Sequence, residues 1–410
     1  MISEISFKNY KVFKEKQTID LKPITILIGK NNTGKSAVLK LMSLIDGALN
    51  SKENHPFKLE NGGVSVGNEY RDLIYGKFSR SLMLEISQID KDSTIHKLQT
   101  NILVDTKHNI PIIEGSKFSE IKSDKSISIK YDLQKNEGSR FSNQKDGLEY
   151  DCEFNGILLA KHSTGKYPSL ISPDLVLNVD FIGALREKAK LDYRLREDTE
   201  KSGIDGTFLY DFLIRDYLTT NKLFFNGISK WLSEKFEGWS LDIDVDTEPY
   251  HIRLKRGDLD VDLTETGMGI SQSLPLIVRA FRECQQSTLI VLEEPEAHLH
   301  PYAHSELAQL FAESIKKDKK KKYLIETHSQ NFVLRLRRLI AEGILDISDL
   351  AIYYVDFHEE KNESSLSNIT VDKTGGVGWW PEGIFSETNI ETRAIYKAQI
   401  SDSGYVGRDT

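Results

Sequence analysis

The fold of this chain is decided by one stretch, Ile24-Thr25-Ile26-Leu27-Ile28-Gly29-Lys30-Asn31-Asn32-Thr33-Gly34-Lys35-Ser36. Its mostly β-branched first part predicts a buried strand that stops at Gly29. Apolar residues then recur at helical spacing from Val38 to Ile45, and Gly47 suggests the end of that helix. Strand, glycine-rich turn and helix are the setting in which the pattern Gly-x-x-x-x-Gly-Lys-Ser/Thr binds phosphate.

The residue types in this loop explain how it would hold a nucleotide. Glycines let the backbone wrap around phosphate oxygens, and backbone N–H groups converge on the anion at the helix N-terminus. Lys35 is expected to reach the β- and γ-phosphates, and Ser36 to offer its hydroxyl to Mg²⁺. A chance glycine-rich turn is the alternative, and the complete match argues against it. The residues expected to bind the nucleotide are Gly29, Asn31, Asn32, Thr33, Gly34, Lys35, Ser36 and Ala37.

A second stretch, Leu289-Ile290-Val291-Leu292-Glu293-Glu294-Pro295-Glu296, is an apolar strand that ends in two carboxylates. Charge at the C-terminal end of a buried strand is typical of a ligand site on a parallel sheet. Glu293 is predicted to lie near Mg²⁺, through water. Glu294 is predicted to orient or deprotonate the attacking water. An acidic turn without a catalytic role is the alternative reading.

Two further stretches complete the set of motifs. In Tyr323-Leu324-Ile325-Glu326-Thr327-His328-Ser329 a strand is followed by His328, which could contact the γ-phosphate or its water. Thr264-Glu265-Thr266-Gly267-Met268-Gly269-Ile270-Ser271-Gln272 is a glycine-rich turn that opens a helix and could present N–H groups to phosphate. Taken alone, a structural histidine and a simple helix cap are the alternatives for these two stretches.

Composition excludes several classes of protein. The chain has 410 residues, enough for two or three domains or for one large domain with insertions. Only two cysteines occur, Cys152 and Cys284, which rules out a disulfide scaffold and a cysteine-ligated zinc site. The net charge of −8 means that nucleic-acid binding would need a local basic patch. Apolar runs are too short for a membrane span and no signal peptide is recognisable, so a cytoplasmic protein without membrane contact is expected.

Hydrophobic spacing divides the chain into segments. Helices are predicted at about 206–219, 222–235, 269–284, 302–317 and 329–342, with short strands at about 240–263. The expected organisation is a lobe with the phosphate loop (1–80), a β-rich inserted subdomain (81–175), a helical and strand lobe (176–262), a second lobe with a β-rich end (263–400) and a flexible tail (401–410).

The motifs in this order resemble those of the ABC-type ATPases of the SMC, RecF and OLD (overcoming lysogenization defect) group. The opening residues Ile5–Phe13 look like that group's N-terminal strand. Residues Trp379–Phe385 are similar to the C-terminus of stand-alone bacterial AAA-family ATPases. The resemblance is strong over about 1–50 and 175–385. It implies an α/β P-loop NTPase of ABC/SMC-head type with an antiparallel β-rich insertion and a helical lobe.

The resemblance also implies roles for individual residues. Two heads would sandwich two ATP molecules with Mg²⁺. Glu293 takes the Walker B position, Glu294 the catalytic position, and His328 is the switch histidine. The signature residues that would act on the partner's nucleotide are Thr266, Gly267, Gly269 and Ser271.

The biological role is narrowed by what the sequence lacks. No coiled coil is inserted, and the segment after Ser329 is short for a Toprim nuclease domain. The resemblance therefore implies a separate effector, a nuclease or toxin, in bacterial anti-phage defence. Two alternatives stay open. One is a RecF-like repair ATPase that contacts DNA through Lys319–Lys322, and the other is an ATP-binding scaffold with little turnover.

Two smaller features have competing explanations. One feature is a group of three histidines, His298, His300 and His304, whose side chains could bind a metal. The resemblance instead implies that this segment is the loop after the Walker B strand. Arg186 follows a strand end and could face the nucleotide or the dimer seam, or it could be an ordinary arginine.

Overall fold

The structure, a computed structural model, describes residues 2–78, 80–105, 108–122, 127–162, 175–245 and 248–402. Its strands are β1 (Ile2–Lys8), β2 (Gln17–Asp20), β3 (Ile24–Ile28), β4 (Glu60–Asn61), β5 (Val64–Ser65), β6 (Ser81–Ile89), β7 (Ile95–Asp105), β8 (Ile110–Ile121), β9 (Ile127–Lys135), β10 (Arg140–Asn143), β11 (Glu149–Asn155), β12 (Leu158–His162), β13 (Val179–Ile182), β14 (Ser240–Asp244), β15 (His251–Arg256), β16 (Leu259–Asp262), β17 (Thr288–Glu293), β18 (Lys321–Glu326), β19 (Leu350–His358) and β20 (Glu363–Ile369). Its α-helices are α1 (Lys35–Leu49), α2 (Thr207–Leu218), α3 (Leu223–Lys235), α4 (Met268–Phe281), α5 (Pro301–Lys317), α6 (Gln330–Ala341) and α7 (Glu387–Asp402).

The phosphate-loop strand β3 lies inside a six-stranded sheet with the order β13-β17-β18-β3-β19-β20. Neighbours from β13 to β19 are parallel, and β20 is antiparallel to β19. Along β3, Ile24, Ile26 and Ile28 belong to one core and Leu27 to the other. Burial on both faces explains why β3 and β17 are nearly continuous apolar runs in the sequence.

Helix α1 packs between this parallel sheet and a nine-stranded antiparallel sheet. That second sheet has the order β12-β11-β10-β9-β8-β7-β6-β1-β2. Val38, Leu41 and Ile45 of α1 are fully buried in the core that the two sheets share. The helix continues through Gly47 to Leu49, beyond the end suggested by the sequence, because Ala48 and Leu49 are also buried in that core.

The segment 81–175 was expected to form an inserted subdomain. In the structure, its strands β6–β12 extend the sheet that β1 and β2 begin, with β6 paired directly to β1. The sequence shows an antiparallel meander here, and the meander is present. Pairing of β1 with β6 joins segments far apart in the chain, which no local pattern reveals.

The other face of the parallel sheet is covered by helices α4, α5 and α6, with α2 and α3 packed beside α4. A three-stranded antiparallel sheet, β14-β15-β16, follows α3 and leads into α4. The helices predicted from 206 to 342 are confirmed to within a few residues, as are the short strands between 240 and 263. The predicted α/β fold class is confirmed.

The C-terminal end differs from the expectation. After the hairpin β19–β20 the chain forms the 16-residue helix α7 instead of further strands. Its described side chains are exposed, including Ile390 and Tyr396, so no apolar stripe marked it in the sequence. Residues 401 and 402 of the expected flexible tail end this helix, and the rest of that tail lies outside the described residues. Among the described residues no helix has both the length and the apolar character needed to cross a membrane.

Candidate functional site

The phosphate loop connects β3 to α1 along a close approach to a neighbouring strand. Gly29 has φ +155°, and a Cβ atom there would lie 2.4 Å from the carbonyl oxygen of Val355 in β19. A side chain at this position would therefore push the loop off the sheet. Asn31 and Asn32 are exposed at the loop tip, whereas Thr33 is buried and donates its hydroxyl hydrogen bond to the carbonyl of Lys30 at 3.0 Å.

Lys35 and Ser36 open helix α1 and both turn toward one carboxylate, that of Glu326. The Lys35 ammonium donates to the carbonyls of Gly29 and Lys30, at 3.1 and 2.7 Å, and lies 3.6 Å from Glu326 Oε1. Ser36 Oγ donates to Glu326 Oε2 at 2.8 Å. Burial lowers the pKa of Lys35, and the negative charge of Glu326 opposes that shift.

Two glutamates stand side by side at the carboxyl edge of the sheet. Glu293 ends β17, Glu326 ends β18, and the two are partners in the strand register. Burial raises the pKa of Glu293, and the nearby charge of Glu326 raises it further. The backbone N–H of Ala184, just past β13, donates to Glu293. The acidic edge is therefore formed by the ends of β17 and β18, and the segment after β13 supplies a backbone donor to it.

Glu294 and His328 lie just beyond this edge. Glu294 has φ +41°, and its backbone N–H donates to the carbonyl of Glu326 at 2.9 Å. Its Oε1 lies 3.8 Å from Nε2 of His328, and both side chains are more than a third exposed. The backbone N–H of His328 is held by Glu296 Oε1 at 2.7 Å. A carboxylate and an imidazole therefore reach solvent beside Lys35 and Ser36.

Glu326 is the residue of this site that the sequence interpretation missed. The oxygen or nitrogen ligand atoms of Glu294, Glu326 and His328 all lie within 4.8 Å of one another. The sequence pattern predicts Glu326 only as part of the strand before His328. The signal was present, because Glu326 is a carboxylate at the end of an apolar parallel strand, as Glu293 is.

The turn that contains the predicted signature residues (the signature turn) lies at the start of α4. Thr266 donates its hydroxyl hydrogen bond to the carbonyl of Leu263 at 2.7 Å, and Ser271 donates to the carbonyl of Met268 at 3.2 Å. Gly267 is exposed and caps the helix, whereas Gly269 packs near the backbone of His298. Among the described residues, no hydrogen bond or ion pair joins this turn to the phosphate loop of the same chain.

The histidines after β17 are engaged in structural contacts. Nδ1 of His304 lies 2.8 Å from Ser329 Oγ, and its Nε2 lies 3.1 Å from the carbonyl of Leu299. His300 caps α5 by accepting from the N–H of Tyr302 at 3.3 Å. Both ring nitrogens of His304 are therefore occupied, which favours the structural interpretation over a metal site.

Only part of the lysine run considered for DNA contact is exposed, because Lys319 and Lys320 reach solvent whereas Lys321 and Lys322 are engaged within the fold. Lys321 is only 3% exposed, and its ammonium donates to the carbonyl of Ala280 at 2.6 Å. The ammonium of Lys322 donates to the carbonyls of Ile2 and Leu21, at 3.0 and 2.7 Å. Burial lowers the pKa of each lysine to about 8. These two positions begin β18, and Lys321 faces inward with the core side chains that follow it.

Together these features define the class of protein. A strand, a full phosphate loop and a helix in a parallel sheet, with acidic strand ends beside the loop, form a P-loop domain of the ABC-like AAA class. A family model described as "AAA domain, putative AbiEii toxin, Type IV TA system" matches residues 24–335, and the chain belongs to that family. Comparison with curated protein sequences gives no match.

Solved structures similar to the chain include SMC head domains. One, from Thermotoga maritima, is 12% identical with a TM-score of 0.42 over 90% of this chain and 99% of that one. A head bound to the C-terminal winged-helix domain of ScpA is 14% identical, with a TM-score of 0.45 over 91% and 99%. A head with an extended coiled coil, bound to the C-terminal domain of ScpA from Pyrococcus furiosus, is 10% identical, with a TM-score of 0.43 over 97% and 99%.

Proposed function

We propose that this protein binds ATP with Mg²⁺ at the phosphate loop and hydrolyses it. One observation carries the proposal: Lys35 and Ser36 meet the carboxylate of Glu326 at the sheet edge where Glu294 and His328 reach solvent. Phosphate-binding cations, metal-binding oxygens and a carboxylate near water are the parts that phosphoryl transfer to water needs.

The residues present fit a magnesium ion. The hydroxyl of Ser36 and the carboxylate of Glu326 are hard oxygen ligands on adjacent elements, and the carboxylate of Glu293 lies beside them. Ser36 and Glu326 would hold the ion, and Glu293 would act alongside, directly or through water. When bound, Mg²⁺ neutralises charge on the β- and γ-phosphate oxygens.

The other residues act on the phosphates and on water. Lys35 would leave the carbonyls of Gly29 and Lys30 for phosphate oxygens, which are stronger acceptors for an ammonium group. Glu294, more than a third exposed, would orient the attacking water and accept its proton. His328, whose main chain is fixed by Glu296, would hydrogen-bond the γ-phosphate or that water.

The biological output that we propose is control of a separate effector by paired heads. Gly267 is exposed at the N-terminus of α4, and the side chain of its neighbour Met268 is 51% exposed, so this turn is available to a second copy. Thr266, Gly269 and Ser271 would support it there. The effector that we propose is a nuclease or toxin that acts in anti-phage defence, and the family description mentions a toxin of a type IV toxin–antitoxin system.

ATP binding and phosphate release by Lys35→Ala test the proposal. The variant removes the ammonium group that donates to the loop carbonyls of Gly29 and Lys30, so binding and turnover should both fall by at least about tenfold. Lys30→Ala is the matched control, because Lys30 is an exposed lysine of the same loop. Lys35→Ala protein that binds and hydrolyses ATP like the wild type would refute the proposed site.

A further inference from the structure

A buried arginine lies directly behind the candidate catalytic glutamate. Arg186 follows β13, is 5% exposed, and donates from Nη2 to the carbonyl of Glu294 at 3.2 Å. Its Nε and Nη1 atoms are buried without a hydrogen-bond partner in the described structure. Burying a guanidinium group whose N–H donors lack partners costs free energy. We therefore looked for a function of Arg186 at this position.

One such function is to stabilise the backbone conformation of Glu294. Its φ of +41° is in the left-handed region, which costs a side-chain-bearing residue about 1–2 kcal/mol. Two contacts hold the residue there. Its N–H donates to the carbonyl of Glu326 at 2.9 Å, and its carbonyl accepts from Arg186. The direction of the Glu294 side chain therefore depends on where Arg186 stands.

Arg186 is in turn tied to the helix that begins at the signature turn. The side-chain amide of Gln272, in α4, lies 3.4 Å from the carbonyls of both Arg186 and Glu187. Gln272 is itself only 4% exposed. A shift or rotation of α4 would move this amide and, with it, the main chain that carries the guanidinium group.

A second carboxylate extends the connection to His328. Glu296 is 7% exposed, and its Oε1 accepts from the hydroxyl of Thr327 and from the backbone N–H of His328. Its Oε2 is buried without a partner. Burial lowers the pKa of Arg186 to about 10, and the negative charges of Glu296 and Glu294 oppose that shift. The unpaired N–H donors belong to Arg186 and the unpaired carboxylate oxygen belongs to Glu296, and these two charged groups attract each other.

We propose that Arg186 is a positioning residue that couples the position of helix α4 to the orientation of Glu294 and His328. The proposal rests on the ATPase function proposed above and adds a regulatory path to it. In this proposal, binding of the signature turn to a nucleotide held by a second copy moves α4. Gln272 then displaces the main chain of Arg186, and the unpaired N–H groups of Arg186 can hydrogen-bond to Glu296. Because the carbonyl of Glu294 accepts a hydrogen bond from Arg186, Glu294 is displaced as well. In this proposal Arg186 acts through the main chain of Glu294 and does not bind the nucleotide itself.

Steady-state kinetics of Arg186→Gln test this coupling. We expect kcat for ATP to fall by about 10- to 100-fold, because a misplaced catalytic group loses that much, while KM and ATP affinity stay within about threefold. Arg186→Lys, which keeps the charge and a donor, should recover part of kcat. Guanidinium ion added to Arg186→Ala should raise kcat in a saturable way.

Two further variants separate coupling from folding. Arg335→Gln is the matched control, since Arg335 is also a largely buried arginine, 15% exposed, and its pair with Glu306 at 2.9 Å joins α6 to α5. It should keep kcat within about twofold. Gln272→Leu should lower kcat as Arg186→Gln does, and the double variant should lose little more than either alone, because both act in one path.

The outcomes distinguish this proposal from the proposed function. An active wild type with an equally active, folded Arg186→Gln overturns the coupling and leaves the ATPase proposal intact. Parallel loss of ATP binding, melting temperature and kcat in both Arg186→Gln and Arg186→Lys would show a structural role only, and would also overturn it. A wild type that neither binds nor hydrolyses ATP refutes the proposed function, and the coupling falls with it.

Discussion

Replacing Glu326 by glutamine is expected to raise the Mg²⁺ concentration that half-saturates ATP turnover by about 10- to 100-fold, the usual loss when a metal ligand or its supporting group is removed. Glu326 is 5% exposed, at the end of β18, and accepts from Ser36 Oγ at 2.8 Å. The amide oxygen of glutamine can accept the same hydrogen bond. The substitution therefore removes one negative charge while the local geometry is kept.

The charges around Glu326 predict that Glu326→Gln lowers the stability of the fold less than it lowers the affinity for Mg²⁺. At 3.6 Å and an effective dielectric constant of 20, the attraction between Lys35 and Glu326 amounts to about 4–5 kcal/mol. Its loss is offset by relief of the repulsion between Glu326 and its register partner Glu293, whose pKa is raised by burial and further by this repulsion. We expect the free energy of unfolding to change by only about 1–2 kcal/mol.

The assay is phosphate release against free Mg²⁺ at saturating ATP. Glu306→Gln is the matched control, because Glu306 is also a buried glutamate, 3% exposed, and is paired with Arg335 at 2.9 Å and Lys235 at 2.8 Å. The control should lose stability without changing its Mg²⁺ requirement. A folded Glu326→Gln protein with the Mg²⁺ requirement of the wild type would refute the assignment of Glu326 as a metal-site residue.

Two further predictions concern stability. Gly156→Ala should lower the free energy of unfolding in urea by about 2–5 kcal/mol, because Gly156 has φ +57° and a Cβ there would lie 1.8 Å from the carbonyl oxygen of Ala48. The control Gly138→Ala, with φ +54° and open space around it, should lose only about 1–2 kcal/mol; equal losses would contradict the steric argument. Burial and the charge of Lys22 lower the pKa of Lys322 to about 8, so above that pH the unfolded chain holds a proton that the folded chain has released, and stability rises with pH. Relative to Lys322→Met, the wild type should gain about 2 kcal/mol between about pH 7.5 and 9.5, and a pH-independent difference would contradict the burial of that charge.

The parallel core of the fold could be predicted from the sequence because its signals are local. Strand β3, the phosphate loop and helix α1 occupy adjacent residues, and β17 is a continuous apolar run that ends in carboxylates. A parallel strand buried on both faces needs such a run. Glu294, the candidate catalytic residue, was singled out for the same reason, since charge at the end of an apolar strand is easily recognised in the sequence.

The rest of the site depends on contacts between distant segments. Glu326 meets Ser36 across 290 positions of sequence, and Arg186 meets Glu294 across 108. The lysine run Lys319–Lys322 looks like a basic surface patch in the sequence. Strand β18 begins inside this run, however, and Lys321 is buried. Helix α7 was missed because its described side chains are exposed and no amphipathic pattern develops. Each of these features is set by tertiary packing and not by local spacing.

The most direct test of the central claim compares ATP binding and phosphate release in the wild type and in Glu294→Gln, with oligomer mass measured in the same samples. Glu294 is exposed and Arg186 contacts only its main chain, so the variant should fold like the wild type. The account predicts Mg²⁺-dependent hydrolysis by the wild type. Glu294→Gln should still bind ATP, lose at least about 100-fold in turnover and accumulate a larger ATP-bound assembly. Hydrolysis by Glu294→Gln at the wild-type rate, or a wild type that does not hydrolyse ATP, would contradict it.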